Sequence, residues 1–222
     1  MTNEFDEELL KLRILMGEMF ASARDALEKA LRSVRERQAA PAQECMDNDD
    51  AVDALECKAE RLCLRLLALR QPVARDLRLL VGALRVASNL ERIADEAVNI
   101  SERSLVLLER PLSEDTPGLW AMAQACQDLF ALTARAYAEG SVELSRQVRE
   151  ANRGVHGLHV RAFREISAIM IRHPDVMERS LQLSFIAYSV KRICDRCANV
   201  AESTEFIVAG RDLKHAGCED PA

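Results

Sequence analysis

The chain has 222 residues, 49 per cent of them hydrophobic and 30 per cent charged, a balance that suits a folded globular protein and not a disordered one. Its net charge of −6 argues against non-specific nucleic-acid binding, which needs a basic, phosphate-neutralising surface. Aromatics make up only 4 per cent while Leu, Ala, Glu and Arg dominate, so helices are favoured over strands.

Helical periodicity runs almost from end to end. Leu9, Leu12, Met16, Met19, Ala23, Leu27, Ala30 and Val34 recur at three- and four-residue steps and predict a first helix over about Asp6 to Gln38. Pro41 suits the first turn of a second, running to about Arg70, and Pro72 precedes a third from about Val73 to Glu109. Pro111 to Gly118 is the strongest break, with Thr116 or Asp115 as a candidate cap for the next helix. Further helices are expected over about Leu119–Val148, Arg153–Arg172 and Pro174–Val208, with Gly154 and Gly157 weakening the fifth. The fold class expected is all-α: two tandem three-helix bundles related by internal duplication, residues 1–111 and 117–210, followed by a frayed tail at 211–222.

The duplication is written in the third and sixth helices. Arg92, Ile93, Asp95, Asn99 and Glu102 recur at the same offsets as Arg192, Ile193, Asp195, Asn199 and Glu202. On a helix, Glu91, Asp95, Asn99 and Glu102 fall within a sector of roughly 80°, and Asp49, Asp53, Glu56 and Glu60 within roughly 60°. Like charges four apart cost a helix roughly 0.2–0.5 kcal/mol per pair, and two facing acidic stripes cost more unless a cation lies between them. Hard carboxylate oxygens favour Mg, Ca, Mn or Fe over Zn. The alternative is a solvated acidic face, or one neutralised by Arg61, Arg75, Arg85 or Arg92.

Three further features have plain readings. Cys194 and Cys197 align with Ala94 and Ala97, so they read as small packing groups before they read as a redox or zinc pair. His156 and His159 could add nitrogen ligands beside Asp195 or Glu202, though such a pair more often fills surface or core. Trp120 and the methionines read as packing. No apolar run approaches the roughly 20 residues that span a bilayer, and the acidic start lacks a signal peptide's pattern, so a cytoplasmic protein with reduced cysteines is expected.

Gln71-Pro72-Val73-Ala74-Arg75-Asp76-Leu77-Arg78, followed by Glu91-Arg92-Ile93-Ala94-Asp95 and Asn99-Ile100, resembles the PhoU family of phosphate-transport-system accessory proteins, as does Asp49-Asp50-Ala51-Val52-Asp53-Ala54-Leu55. The resemblance covers about Leu9 to Val208. It implies two three-helix bundles in a cytoplasmic, often dimeric, non-enzymatic protein. It also implies negative control of phosphate uptake through the ATP-binding subunit of the phosphate ABC transporter and a phosphate-responsive sensor histidine kinase. Some members carry multinuclear metal clusters, often iron, on acidic motifs that here fall on Asp49, Asp53, Glu91 and Asp95. Glu56, Asn99, Glu102, His156, Asp195 and Glu202 are the weaker candidates. The second copy departs from this pattern, since Lys191, Asn152 and His156 stand where the first has Glu91, Asp49 and Asp53. A metal-competent first half and a weakened or metal-free second half are therefore expected. The competing classes are a metal-dependent enzyme or metal-storage bundle, and a plain helical scaffold.

Overall fold

The computed structural model describes residues 2–109 and 116–210, with side-chain environments from Glu4 onward. Seven α-helices account for the fold: α1 (Thr2–Glu36), α2 (Ala39–Asp47), α3 (Asp49–Arg70), α4 (Ala74–Glu109), α5 (Pro117–Glu139), α6 (Val142–Arg172) and α7 (Met177–Ala209). A 3-10 turn, Pro174–Val176, precedes α7, and no strand occurs among the described residues.

The first bundle is α1, the broken pair α2–α3, and α4; the second is α5, α6 and α7. The expected two-bundle all-α architecture is thus the one found. The bundles join chiefly along α4 and α7, with a smaller contact between α1 and α5. Their inner faces form one continuous core in which Met16, Met19, Leu66, Leu90 and Ile93 meet Phe130, Val190 and Ile193. At the junction of α1 and α5, Phe20 packs edge-on to Phe130 and against Tyr137, with ring centroids 6.2 and 5.2 Å apart. Buried side chains repeat at helical steps along α4: Leu80, Ala83, Val86, Ala87, Leu90, Ile93, Ala94, Ala97 and Ile100.

Three boundaries differ from the sequence reading, each for a local reason. The expected second helix breaks at Asn48, whose side-chain amide donates to the Glu44 carbonyl at 2.7 Å and so closes α2 before α3 begins. The fourth ends at Glu139 and not near Val148, because Gly140 takes a left-handed conformation (φ 59°) and Ser141 caps α6 by accepting from the Leu144 amide at 3.2 Å. Apolar periodicity continues through that turn and hides it. Gly154 and Gly157 accordingly lie inside α6, where nothing crowds them. The tail at 211–222 and the linker residues 110–115, Asp115 among them, lie outside the described residues.

Thr116 occupies the cap position of α5, but its hydroxyl makes no capping bond. The helix start is closed from a distance instead: the Gly118 amide donates to Glu165 Oε2 at 2.6 Å, and Arg161 holds the same carboxylate at 3.0 Å. A carboxylate there also meets the positive end of the helix dipole. A Cβ on residue 118 would lie 2.6 Å from that oxygen, so the Glu165 carboxylate would have to shift to admit one. Glu165→Ala should cost about 1 kcal/mol, the usual value of a lost cap, read as a lower urea midpoint.

Candidate metal centre

The break at Asn48 decides where the acidic residues stand. It makes Asp49 the first residue of α3, where the exposed amides of a helix start favour negative charge. Asp53 follows one turn later, and Asp95 comes from the middle of α4. One carboxylate oxygen from each of Asp49, Asp53 and Asp95 lies within 4.8 Å of the others. Asp49 is half-buried while Asp53 and Asp95 are exposed, so the trio opens to solvent at one side.

Glu91 stands beside this trio, one turn before Asp95. Burial, then the charges of Asp95, Glu56 and Asp53, push its carboxyl up to about 7. Burial first and then Asp53 and Asp95 also raise Asp49, and Glu56 is raised by burial, Asp53 and Glu60 against the opposing charge of Arg92. Three carboxyls on two facing helices, Asp49, Glu56 and Glu91, are therefore harder to ionise than free ones. Of the arginines considered as neutralising groups, Arg85 points away: its guanidinium lies 4.7 Å from the Phe206 ring centroid on α7. Asn99 is half-buried farther along α4, and Glu102 is exposed and does not join the trio.

The donor set suits a hard cation. Three carboxylate oxygens within reach of one point form the oxygen-rich arrangement that Mg, Ca, Mn and Fe take. Asp49 Oδ1 is buried yet accepts no hydrogen bond, a costly state that a bound cation would relieve. Behind the trio lies a cavity of about 160 Å³ lined by Ser22, Asp25, Cys45, Asn48, Asp49 and Val98.

The equivalent place in the second bundle has other chemistry. Lys191 Nζ contacts Asp195 Oδ1, and Asn152 Nδ2 donates to the same oxygen at 3.2 Å. An ammonium and an amide thus surround the carboxylate that aligns with Asp95. His156 is exposed, while His159 is half-buried with its pKa lowered by burial and then by Lys191 and His156, so it stays neutral more readily than a free imidazole. Glu202 is half-buried farther along α7. Cys194 and Cys197 are buried in the core, where burial pushes the Cys197 thiol well above its usual range. Trp120 packs against the core, and Met16, Met19 and Met122 lie within it.

Fold and site together define a class: a duplicated three-helix-bundle protein with a carboxylate cluster on the outer face of its first repeat. The model of the PhoU domain matches this chain twice, over residues 16–104 and 119–204, and the chain belongs to the PhoU family. It is 32 per cent identical to the phosphate-specific transport system accessory protein PhoU homolog of Zymomonas mobilis, over 94 per cent of this chain and 88 per cent of that protein. The Aquifex aeolicus homolog is 31 per cent identical over 96 and 93 per cent of the two chains. The crystal structure of PhoU from Pseudomonas aeruginosa superposes with a TM-score of 0.91 at 27 per cent identity, covering 94 per cent of this chain and all of that one.

Sequence reasoning named the acids that meet and missed two buried ion pairs. Arg192 Nη1 on α7 reaches Glu96 Oε1 on α4 at 2.8 Å, and Arg149 Nη2 on α6 reaches Glu205 Oε1 on α7 at 2.9 Å. Glu96 and Glu205 are 5 and 3 per cent exposed, which marks them as groups that must be paired. The available signal was each acid's place on the apolar face of its helix.

Proposed function

We propose that this chain is a regulatory adaptor of phosphate uptake, holding the phosphate ABC transporter and phosphate-starvation two-component signalling in check. It works in the cytoplasm as a homodimer, without catalytic activity of its own, and meets the transporter's ATP-binding subunit and a sensor histidine kinase. One observation carries this reading: the duplicated family model spans nearly the whole chain, at about 30 per cent identity to proteins described as phosphate-transport accessories. The absence, among the described residues, of any helix long and apolar enough to cross a membrane suits a partner that docks on a transporter. Co-purification with the ATP-binding subunit tests it, and a deletion strain with unchanged phosphate-starvation signalling would sink it.

The same reading gives the first repeat a metal centre on Asp49, Asp53 and Asp95, with Glu91 and Glu56 beside it. Iron, manganese, magnesium or calcium would each suit these oxygens. The second repeat needs no cation, because Lys191 already supplies one to Asp195. Elemental analysis of purified variants measures this asymmetry directly. Asp95→Ala should lose most bound metal and Asp195→Ala little; equal losses would overturn it.

A further inference from the structure

The duplication that relates α4 to α7 also orders the contacts across their crossing. Asn199 Nδ2 donates to Asn89 Oδ1 at 3.3 Å, Arg192 Nη1 meets Glu96 Oε1 at 2.8 Å, and the Arg103 guanidinium lies 4.2 Å from the Phe185 ring centroid. From pair to pair the α4 residue advances by two helical turns and the α7 residue retreats by two. The helices are therefore antiparallel, and the register sets Ala94 level with its duplicate Cys194 at the centre. A two-fold relation between the repeats passes there.

That register sets Arg92 level with Arg196. Under the two-fold relation, Arg92 and Arg196 are the mates of Arg192 and Glu96. Repeat two sends its arginine to a buried carboxylate, while in repeat one the residue level with the arginine is a second arginine. Among the described residues neither Arg92 nor Arg196 takes part in an ion pair or side-chain hydrogen bond. Arg92 is exposed and Arg196 half-buried, so both can meet a ligand from solvent. Arg192 lies one turn before Arg196 and Arg92 one turn before Glu96, so three arginine positions fall within a turn of the Arg192–Glu96 pair. Among the described residues Glu96 is the carboxylate that pairs across this crossing. On its other side Arg92 feels the acidic cluster, since its charge opposes the rise of the Glu56 pKa.

We propose that this crossing is an oxyanion site, in which Arg92 and Arg196 grip a tetrahedral anion of the phosphate class while Glu96 holds Arg192 in place behind them. Guanidinium forks match such oxygens two at a time, and an anion between them relieves the repulsion of like charges. The site rests on the crossing alone; failure of the adaptor or metal reading would leave it standing.

Calorimetric titration of chelator-treated protein with inorganic phosphate at fixed ionic strength tests it, since no carboxylate-bound metal can then supply the anion site. Saturable binding is expected in the native chain. Arg92→Gln should weaken it about tenfold or more, the loss of a charge-assisted hydrogen bond. Arg196→Glu recreates the mirrored ion pair, so it should abolish binding while raising the melting temperature by roughly 2–4 °C. No saturable binding by the native chain, or native-like binding by both variants, would overturn the proposal.

Discussion

Glu91→Gln should stabilise the metal-free protein above pH 7 and weaken its stabilisation by metal. The first half follows from linkage. The Glu91 carboxyl sits at about 7 in the fold, above its ordinary 4.5, because burial and the Asp95, Glu56 and Asp53 charges oppose ionisation. A carboxyl raised on folding binds its proton more tightly in the folded state. Its contribution is therefore harmless below about pH 4.5, and stability falls as pH climbs from there through 7. Glutamine cannot ionise and escapes that loss, a gain of about 1–2 kcal/mol once solvent screening is allowed for. The difference in urea midpoint between variant and native chain should be near zero at pH 4.5 and fully grown at pH 8.

Added metal should reverse the order. At a free Mn(II) concentration 100 times its dissociation constant, the native chain would gain about 2.7 kcal/mol. A variant short of one carboxylate in or beside the coordination shell would gain less. Equal midpoints for the metal-free proteins at pH 8 would show that Glu91 is not held out of its ionised form by its neighbours. The second repeat carries a natural variant of this experiment, with Lys191 in place of the acid and in contact with Asp195.

Arg149→Met should be among the most damaging single changes in the second bundle, at about 3–5 kcal/mol. Glu205 is 3 per cent exposed, and Arg149 gives it two contacts, from Nε at 3.1 Å and Nη2 at 2.9 Å. Removing the guanidinium strands a charge inside the junction of α6 and α7. Paired substitution behaves differently: with Glu205→Leu added, no polar group is left unsatisfied and most of the stability should return. A cycle of the two single variants and the double variant, read by urea unfolding, should therefore show strong coupling. Additive losses would mean that packing, and not the stranded charge, sets the cost.

Much of this molecule is legible along the chain because helices are local. The apolar stripes, the prolines at 41, 72 and 174, and the Arg-Ile-x-Asp segments are each signals carried within a few turns of chain. The acids that share a face, Asp49 with Asp53 and Glu91 with Asp95, could be grouped by spacing alone, and so could the exchange of Glu91 for Lys191. Turns that satisfy their own backbone groups were harder. The breaks at Asn48 and Gly140 sit in stretches whose periodicity does not falter, and only hydrogen bonding and a left-handed backbone reveal them.

What lay beyond the sequence is what one helix does to another. Asp49 opens a helix in the first repeat through the local break at Asn48, while its counterpart Asn152 lies inside unbroken α6. The distance from Asp95 to the α3 acids, the rise of Glu91, the Glu165 closure of α5 and the burial of Glu96 and Glu205 all depend on side chains far apart in number. The sequence by itself determined the helices, their duplication and the unequal chemistry of the two copies. Only the tertiary structure decided which charges face each other, because antiparallel register is set by the whole buried interface of α4 and α7 and by no local preference of either.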